Sequence, residues 1–484
     1  MSDERPAETA KVTLRNYAWG LGGVADNLLT FGLAWTIVPI FNIGYGVDAF
    51  WLGIAIFIPR LLDVVTDPLM GVISDRTRSK FGRRRPYILF GAIAMAMLFA
   101  LLWLPPFGAV TGSPTDDGLP SGTELYLILW VGIVYACVTL AYTIFSVPYI
   151  ALGYEFTRNY DEMTKVMASR LYFTTLAGFG VTWVYRLAVD DRFGGDETIG
   201  MRYIGALVAF FVLITGIAPA LLCRERVTTR VAQPKISIAE LTRATIGNRA
   251  FIIVMTAMLV FVISLYTTGT LLAHINIFYV AQGDKELGGE LAAISGNIMA
   301  VCTLIGMYPM MKLSQRLSKR AVALLAFTLA LVGYLSLWWT WTPRTPQLQY
   351  ASAVFIGFGS SGIWLMLDSM IGDVAKDDEA RNGSPREGLF GAAKSFMFKL
   401  AVAAASLGGA FALGISGFEE RVEPTQDVQL NLRLIYIGLQ ALGVIVAMTA
   451  VAMFPITRRQ AAENEAIIEE RDRRRTSSTT RDPA

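Results

Sequence analysis

Histidine and cysteine are almost missing from this sequence. His274 is the only histidine, and Cys137, Cys223 and Cys302 are the only cysteines among 484 residues. Three scattered sulfurs, each in or beside an apolar run, supply neither an even-numbered disulfide framework nor metal-ligand spacing, so they read as packing groups. Charge is scarce too: 17% of residues are charged, against about 25% in ordinary soluble domains, which excludes a soluble globular chain. Met1 to Asn16 is polar and has no apolar signal-peptide core, so the N-terminus is expected to stay on the side where it is made. The net charge of +3 is small, and no nucleic-acid partner is read from it. No nucleotide loop or catalytic triad stands out. Gly357-Phe358-Gly359-Ser360-Ser361-Gly362 approximates a dinucleotide fingerprint but lies inside an apolar run with no strand before it, so close helix packing explains it better.

What the chain has in abundance is long apolar runs, with 54% hydrophobic residues. About twelve runs are long enough to cross a bilayer: 17–43, 49–73, 86–106, 124–154, 165–188, 202–222, 250–281, 291–312, 320–341, 347–374, 387–416 and 431–455. Lys and Arg crowd alternate breaks. Arg76, Arg78, Lys80, Arg83, Arg84 and Arg85 follow the second run, and Arg224, Arg226, Arg230, Lys235 and Arg243 follow the sixth. The positive-inside rule therefore puts both termini in the cytoplasm of a cell bounded by an inner or plasma membrane. The expected organisation is a cytoplasmic segment 1–16, a six-helix bundle 17–223, a cytoplasmic loop 224–249, a second six-helix bundle 250–456 and a cytoplasmic tail 457–484. A faint repeat relates Gly71–Arg85 to Gly306–Arg320, which fits two related halves around a central cavity. The tail reads as a short solvated helix with a disordered end.

One run carries charge where it should not. Arg60, Asp63 and Asp67 lie at i, i+3 and i+7, on one helix face. A charge at the bilayer centre costs roughly 2.5–3.5 kcal/mol or more, so these residues face a polar interior and mark a functional site. Two carboxylates one turn apart repel, and the empty pair favours a bound cation or a shared proton. A sodium ion would want further oxygens, from Thr66 or backbone carbonyls, whereas a proton needs one carboxylate. Lys399, about a dozen residues inside the eleventh run, is too deep to snorkel and needs an acidic partner. We expect it to neutralise the pair when the site is empty and to be displaced by the cation, coupling occupancy to the arrangement of the two halves. Lys394 is expected to snorkel or to pair with an interior acid.

The motif Arg60-x-x-Asp63-x-x-x-Asp67-Pro68-x-Met70-Gly71, running into Ser74-Asp75-Arg76-x-Arg78-Ser79-Lys80-x-Gly82-Arg83-Arg84-Arg85-Pro86, resembles the glycoside-pentoside-hexuronide cation symporters. These form a branch of the major facilitator superfamily whose members include a melibiose carrier. Trp19-Gly20-Leu21-Gly22-Gly23 with Asn27 is similar to the family's first-helix signature, and Tyr142–Tyr149 to its fourth-helix segment. Asp373 with Asp377, then Arg386-Glu387-Gly388 and Phe398-Lys399, are similar to its acidic loop and eleventh helix. The resemblance implies an all-α membrane protein with twelve transmembrane helices in two pseudo-symmetric six-helix bundles. It also implies a cation site at Asp63, Asp67 and Thr143, with Lys399 facing it, and a sugar site beside it. Asn27 and Ser146 stand where the melibiose carrier has sugar-binding carboxylates, with Asp26 next to the first, and Thr66 stands where it has Asn.

For the substrate, Trp19, Tyr142 and Trp364 offer amphipathic faces, with Asp26, Asn27, Ser146 and Arg170 as polar contacts. Asp75, Arg76, Arg83 and Arg84 are expected to gate the cytoplasmic end against Asp373, Asp377, Arg386 and Glu387. Trp338, Trp339 and Trp341 read as a membrane-interface belt, and His274 as polar packing or a proton or substrate contact. The expected function is symport of a sugar or glycoside with sodium or protons by alternating access. Two other readings are an amphiphilic cargo such as a lysolipid, and a transporter-shaped sensor or assembly factor. Neither enzyme activity nor a cofactor beyond the coupling ion is expected, and the carrier is expected to work as a monomer in the bilayer.

Overall fold

The computed structural model describes residues 4–110, 120, 122–156, 160–223, 247–383, 387–419 and 422–479. The expected central loop falls almost wholly outside these, as do Arg386 and the last five residues; the side chain of Glu387 is likewise not described.

Twelve long helices run in order: α1 Glu4–Val38, α2 Ala49–Arg76, α3 Arg85–Leu102, α4 Thr123–Tyr154, α5 Tyr160–Val181, α6 Glu197–Leu222, α7 Arg249–His274, α8 Lys285–Arg316, α9 Lys319–Thr340, α10 Gln349–Asn382, α11 Glu387–Ser416 and α12 Gln426–Ala452. A thirteenth, α13 Arg458–Thr479, follows. Eleven of the twelve are long and apolar enough to cross a membrane. The exception is α5, whose polarity comes from Arg170 and the charged residues of its first turns. The expected fifth run, 165–188, is two pieces: α5 stops at Val181, and a separate turn of helix covers Val184–Ala188.

Polar side chains fix where the helices begin. Asp48, Asp196, Asn248, Asp284, Ser318 and Thr425 each cap a helix N-terminus by accepting from a backbone N–H two or three residues on. Prolines inside α2, α4, α6 and α8 are accommodated without a break. In lipid the freed carbonyls are re-satisfied by neighbouring helices and side chains.

The packing repeats. In the N-terminal half α1 lies against α5 and α6, α3 against α4 and α6, and α2 against α4. In the C-terminal half α7 lies against α11 and α12, α9 against α10 and α12, and α8 against α10, the same five pairings six helices on. Each half buries its own apolar core. The match extends to detail. Helix α1 ends in a π-helical segment, Pro39–Gly44, and α7 in another, Ile275–Val280; each leads to an aspartate cap, Asp48 and Asp284.

Between the halves the symmetry fails. α2 and α11 are packed together along an extended seam, whereas the corresponding pair, α5 and α8, barely touch. Small residues allow the close approach of the first pair: a Cβ at Gly53 would fall 2.3 Å from the Cβ of Ala410, while Gly408 and Gly409 face Thr267 and Thr270 of α7. At the end of the molecule away from the termini, here the far end, the halves meet again through His274, Arg186 and Lys285.

The tail differs from expectation. The α13 helix is docked on α10 and is not merely solvated. Asn464 is buried and its Nδ2 donates to Asp377 Oδ1 at 2.9 Å, Lys376 pairs with Glu465 at 2.9 Å, and Arg471 donates to the carbonyls of Glu379 and Ala380. The Glu379 carbonyl also accepts from the Gly383 N–H, and that of Ala380 is one of the last four of α10, so Arg471 adds a cap to this helix end. Trp341 also departs from the expected belt. Its indole is buried and donates to Gln349, because the chain turns inward there, and only Trp338 and Trp339 are left partly exposed.

Two outcomes are expected. Gly53→Ala forces α2 away from α11 and should cost about 1–3 kcal/mol, the usual range for overpacking, read as a lower thermal midpoint in detergent. The ammonium of Lys376 hydrogen-bonds Glu465 and holds its carboxyl below the usual range. The pair's contribution is therefore complete above the ordinary glutamate value of about 4.3 and fades as pH falls through the depressed one. The anisotropy of a fluorophore on Ile467→Cys should drop over that acid window as the tail undocks, and should not drop between pH 8 and pH 6.

Candidate functional site

The paired acids of α2 meet α4 and α11. Thr143 Oγ1, buried on α4, lies 2.9 Å from Asp67 Oδ1 and 3.5 Å from Asp63 Oδ1. Lys399 of α11 is ion-paired with Asp67 Oδ2. Arg60 lies in electrostatic contact with Asp63, with its guanidinium 5.8 Å from the centre of the Tyr135 ring and Tyr266 of α7 nearby. Three helices from both halves thus converge on two carboxylates, and each carboxylate is opposed by its own cation. Thr66 is not brought into the cluster: its hydroxyl donates to the Leu62 carbonyl of its own helix at 3.2 Å. Asp63, Asp67 and Thr143 thus gather carboxylate and hydroxyl oxygens at one place, with the Lys399 ammonium against them.

A second polar cluster lies within the N-terminal half. Asp26 of α1 accepts from the Tyr142 hydroxyl at 2.6 Å and from Arg170 Nη2 of α5 at 2.7 Å. Asn27 is buried, and its Oδ1 has no hydrogen-bond partner among the described residues. Ser146 is buried on α4. Trp19 belongs elsewhere and is corrected here. It is 1% exposed, stacks on Tyr149 at 5.2 Å and donates its Nε1 to the Tyr149 carbonyl, so it packs the core and offers no face to a solute. Trp364 of α10 is partly buried, with Phe261 and Phe398 against its ring.

Among the described residues, Asp75, Arg83, Arg84, Asp373 and Asp377 have ion-pair partners within their own halves. Arg84 bonds Asp75 at 2.8 Å and Glu155 at 3.0 Å, and Arg83 bonds Glu155 at 2.6 Å; Arg76 is exposed at the end of α2. Asp373 pairs with Lys319 at 2.6 Å, and Asp377 with Arg381 and the tail. Among the described residues, the polar contacts between the halves other than Lys399 with Asp67 sit at the far end. His274 Nε2 meets Asn42 Oδ1 at 2.8 Å, joining the two π-helical ends. Lys285 pairs with the buried Glu197 at 2.6 Å, Arg186 pairs with Glu286, and Thr182 Oγ1 donates to Asn297 at 2.8 Å. None of these except His274 was singled out in the sequence. Glu197, Lys285 and Glu286 stand in the first turns of α6 and α8, where they look like ordinary helix-start charges.

Helical halves related by a repeat, packed along one seam, sealed at one end and holding ion-paired carboxylates between them, define a membrane transporter of the major facilitator fold. A family model for MFS/sugar transport proteins matches residues 18–458, and the chain belongs to that family, of the glycoside-pentoside-hexuronide type. It is a transporter and not an enzyme. A putative glycoside/cation symporter of Escherichia coli (strain K12) is 25% identical over 81% of this chain and 80% of its own. The isoprimeverose transporter of Lactiplantibacillus pentosus is 23% identical over 81% of this chain and 78% of its own. Among solved structures, a nucleoside transporter superposes with a TM-score of 0.65 at 15% identity, covering 92% of this chain and all of the other; that likeness concerns the fold alone.

Each far-end ion pair joins a mostly buried partner, Glu197 or Arg186, to a more exposed one, so breaking it strands the buried charge. With the native cysteines replaced, the double variant Lys285→Gln/Glu286→Gln should react a few-fold faster at a cysteine placed at Asn297, using an impermeant thiol reagent applied from the far side. An unchanged rate would mean that these charges do not hold that end shut.

Proposed function

We propose that the chain is a cation-coupled symporter of a sugar or glycoside in the cytoplasmic membrane, with both termini in the cytoplasm. The observation that carries this reading is the cluster of Lys399, Asp67, Thr143 and Asp63, in which an ammonium is ion-paired with one of two neighbouring acids. Sodium or a proton arriving at the acids displaces Lys399 and weakens the tie between α11 and α2. The barrier to exchanging an open near end for an open far end then falls. Asp26, Tyr142 and Arg170 form the polar end of the sugar site, where a carboxylate accepts from hydroxyls and a guanidinium donates to them. Asn27 brings an unmet acceptor to the same helix turn. The similarity to a glycoside/cation symporter and an isoprimeverose transporter supports this cargo.

In this mechanism exchange of labelled for unlabelled sugar needs the binding sites and the swing but no gradient, whereas accumulation needs the cation receptor. In proteoliposomes given sodium and pH gradients separately, Asp63→Asn/Asp67→Asn should lose gradient-driven accumulation of isoprimeverose while retaining part of its counterflow, and Lys399→Ala should uncouple in the same way. Full uphill accumulation by the double variant would overturn the assignment.

A further inference from the structure

One charged pair is used neither by the cation cluster nor by the gates. Asp368 of α10 and Lys394 of α11 are ion-paired at 2.5 Å, across two helices that otherwise touch little. Both lie within apolar spans. Their side chains are 54% and 30% exposed, and among the described residues neither makes another hydrogen bond or ion pair. As a brace, such a pair would do little, since exposed ion pairs contribute about 0–1 kcal/mol. Facing lipid, it would cost more than that. Both costs are avoided if the pair faces water between the helices, where one carboxylate oxygen and most of the ammonium's donor capacity are unused.

The neighbours add a second element. Trp364 is one helical turn from Asp368, at i−4, and Phe398 is one turn from Lys394, at i+4, so each pair of residues shares a helix face. The Trp364 and Phe398 rings are 6.3 Å apart, and Phe261 meets the Trp364 ring edge-on at 5.7 Å; together they fix the plane of an indole that is only partly buried. An aromatic plate beside a carboxylate and an ammonium is the donor and acceptor set that a hydroxylated ring requires. Lys399, five residues beyond Lys394, is turned to α2, so this group is separate from the cation receptor.

We propose that Asp368, Lys394 and Trp364 form a sugar-binding subsite on the C-terminal half, in which the ring lies on the indole, a hydroxyl donates to Asp368 and the Lys394 ammonium donates to a second hydroxyl oxygen. This rests on the sugar reading above and extends it: the cargo is held from both halves, by Asp26 and Arg170 on one side and by this group on the other.

The test is counterflow by the full chain in proteoliposomes with labelled isoprimeverose, D-xylose and methyl β-D-glucuronide. For a sugar that the unaltered protein carries, Asp368→Asn and Lys394→Gln should each raise the half-saturating concentration about tenfold or more, and leave the half-saturating coupling-cation concentration unchanged. The exchanged pair Asp368→Lys/Lys394→Asp restores the ion pair and should restore the thermal midpoint but not the sugar affinity, because acceptor and donor have traded helices. Recovery of both in the exchanged pair, or unchanged sugar affinity in the single variants, would overturn the subsite and leave the symport reading standing. If the unaltered protein exchanges none of the three sugars, both fall.

Discussion

An uncompensated charge at bilayer depth costs several kcal/mol, and the interior of this molecule is arranged around that constraint. Asp67 is opposed by Lys399 from α11, Asp63 by Arg60 a turn away, Asp26 by Arg170 from α5, and Asp368 by Lys394. Helices that must slide past a solute cannot be glued by apolar contact alone, because lipid competes equally well for apolar faces. Paired charges supply contacts that are strong when made and can be exchanged for a ligand. Removing one partner leaves the other stranded, which is why single charge deletions at such places have effects far larger than the net worth of the pair.

Much of this was legible from residue order. Apolar run length located the helices because a bilayer demands it, and Asp63, Asp67 and Lys399 announced themselves as charges where none should be. The convergence of Thr143 with them rested on family resemblance, since no rule of spacing links α2 to α4. Other features were hidden for physical reasons. Trp19 has the composition of a ligand contact, but its indole N–H finds the Tyr149 carbonyl 130 residues away, and only the fold supplies that pairing. The tail looked solvated because its composition is polar. Its partners, the end carbonyls of α10 and the side chain of Asp377, are polar too, so no apolar stripe reveals the docking. The far-end contacts join residues whose local roles as caps and first-turn charges fully account for their presence in the sequence.

The repeat of five helix pairings, with π-helical ends on α1 and α7, shows how closely the halves correspond, and so makes their differences informative. Segments with an extra residue per turn often mark functional positions; here they are brought together by His274 and Asn42. The acidic pair of α2 has no counterpart on α8, so one half carries the acids and the other answers with a lysine. A symmetric scaffold with an asymmetric charge pattern has a direction built into it.

The seam of α2 with α11 has a mechanical meaning as well. Close-packed helices leave little slack, so a displacement of one is passed to the other without being absorbed by rearranged side chains. Asp67 and Lys399 bridge this seam from opposite halves. Whatever alters their contact is therefore registered by both bundles at once.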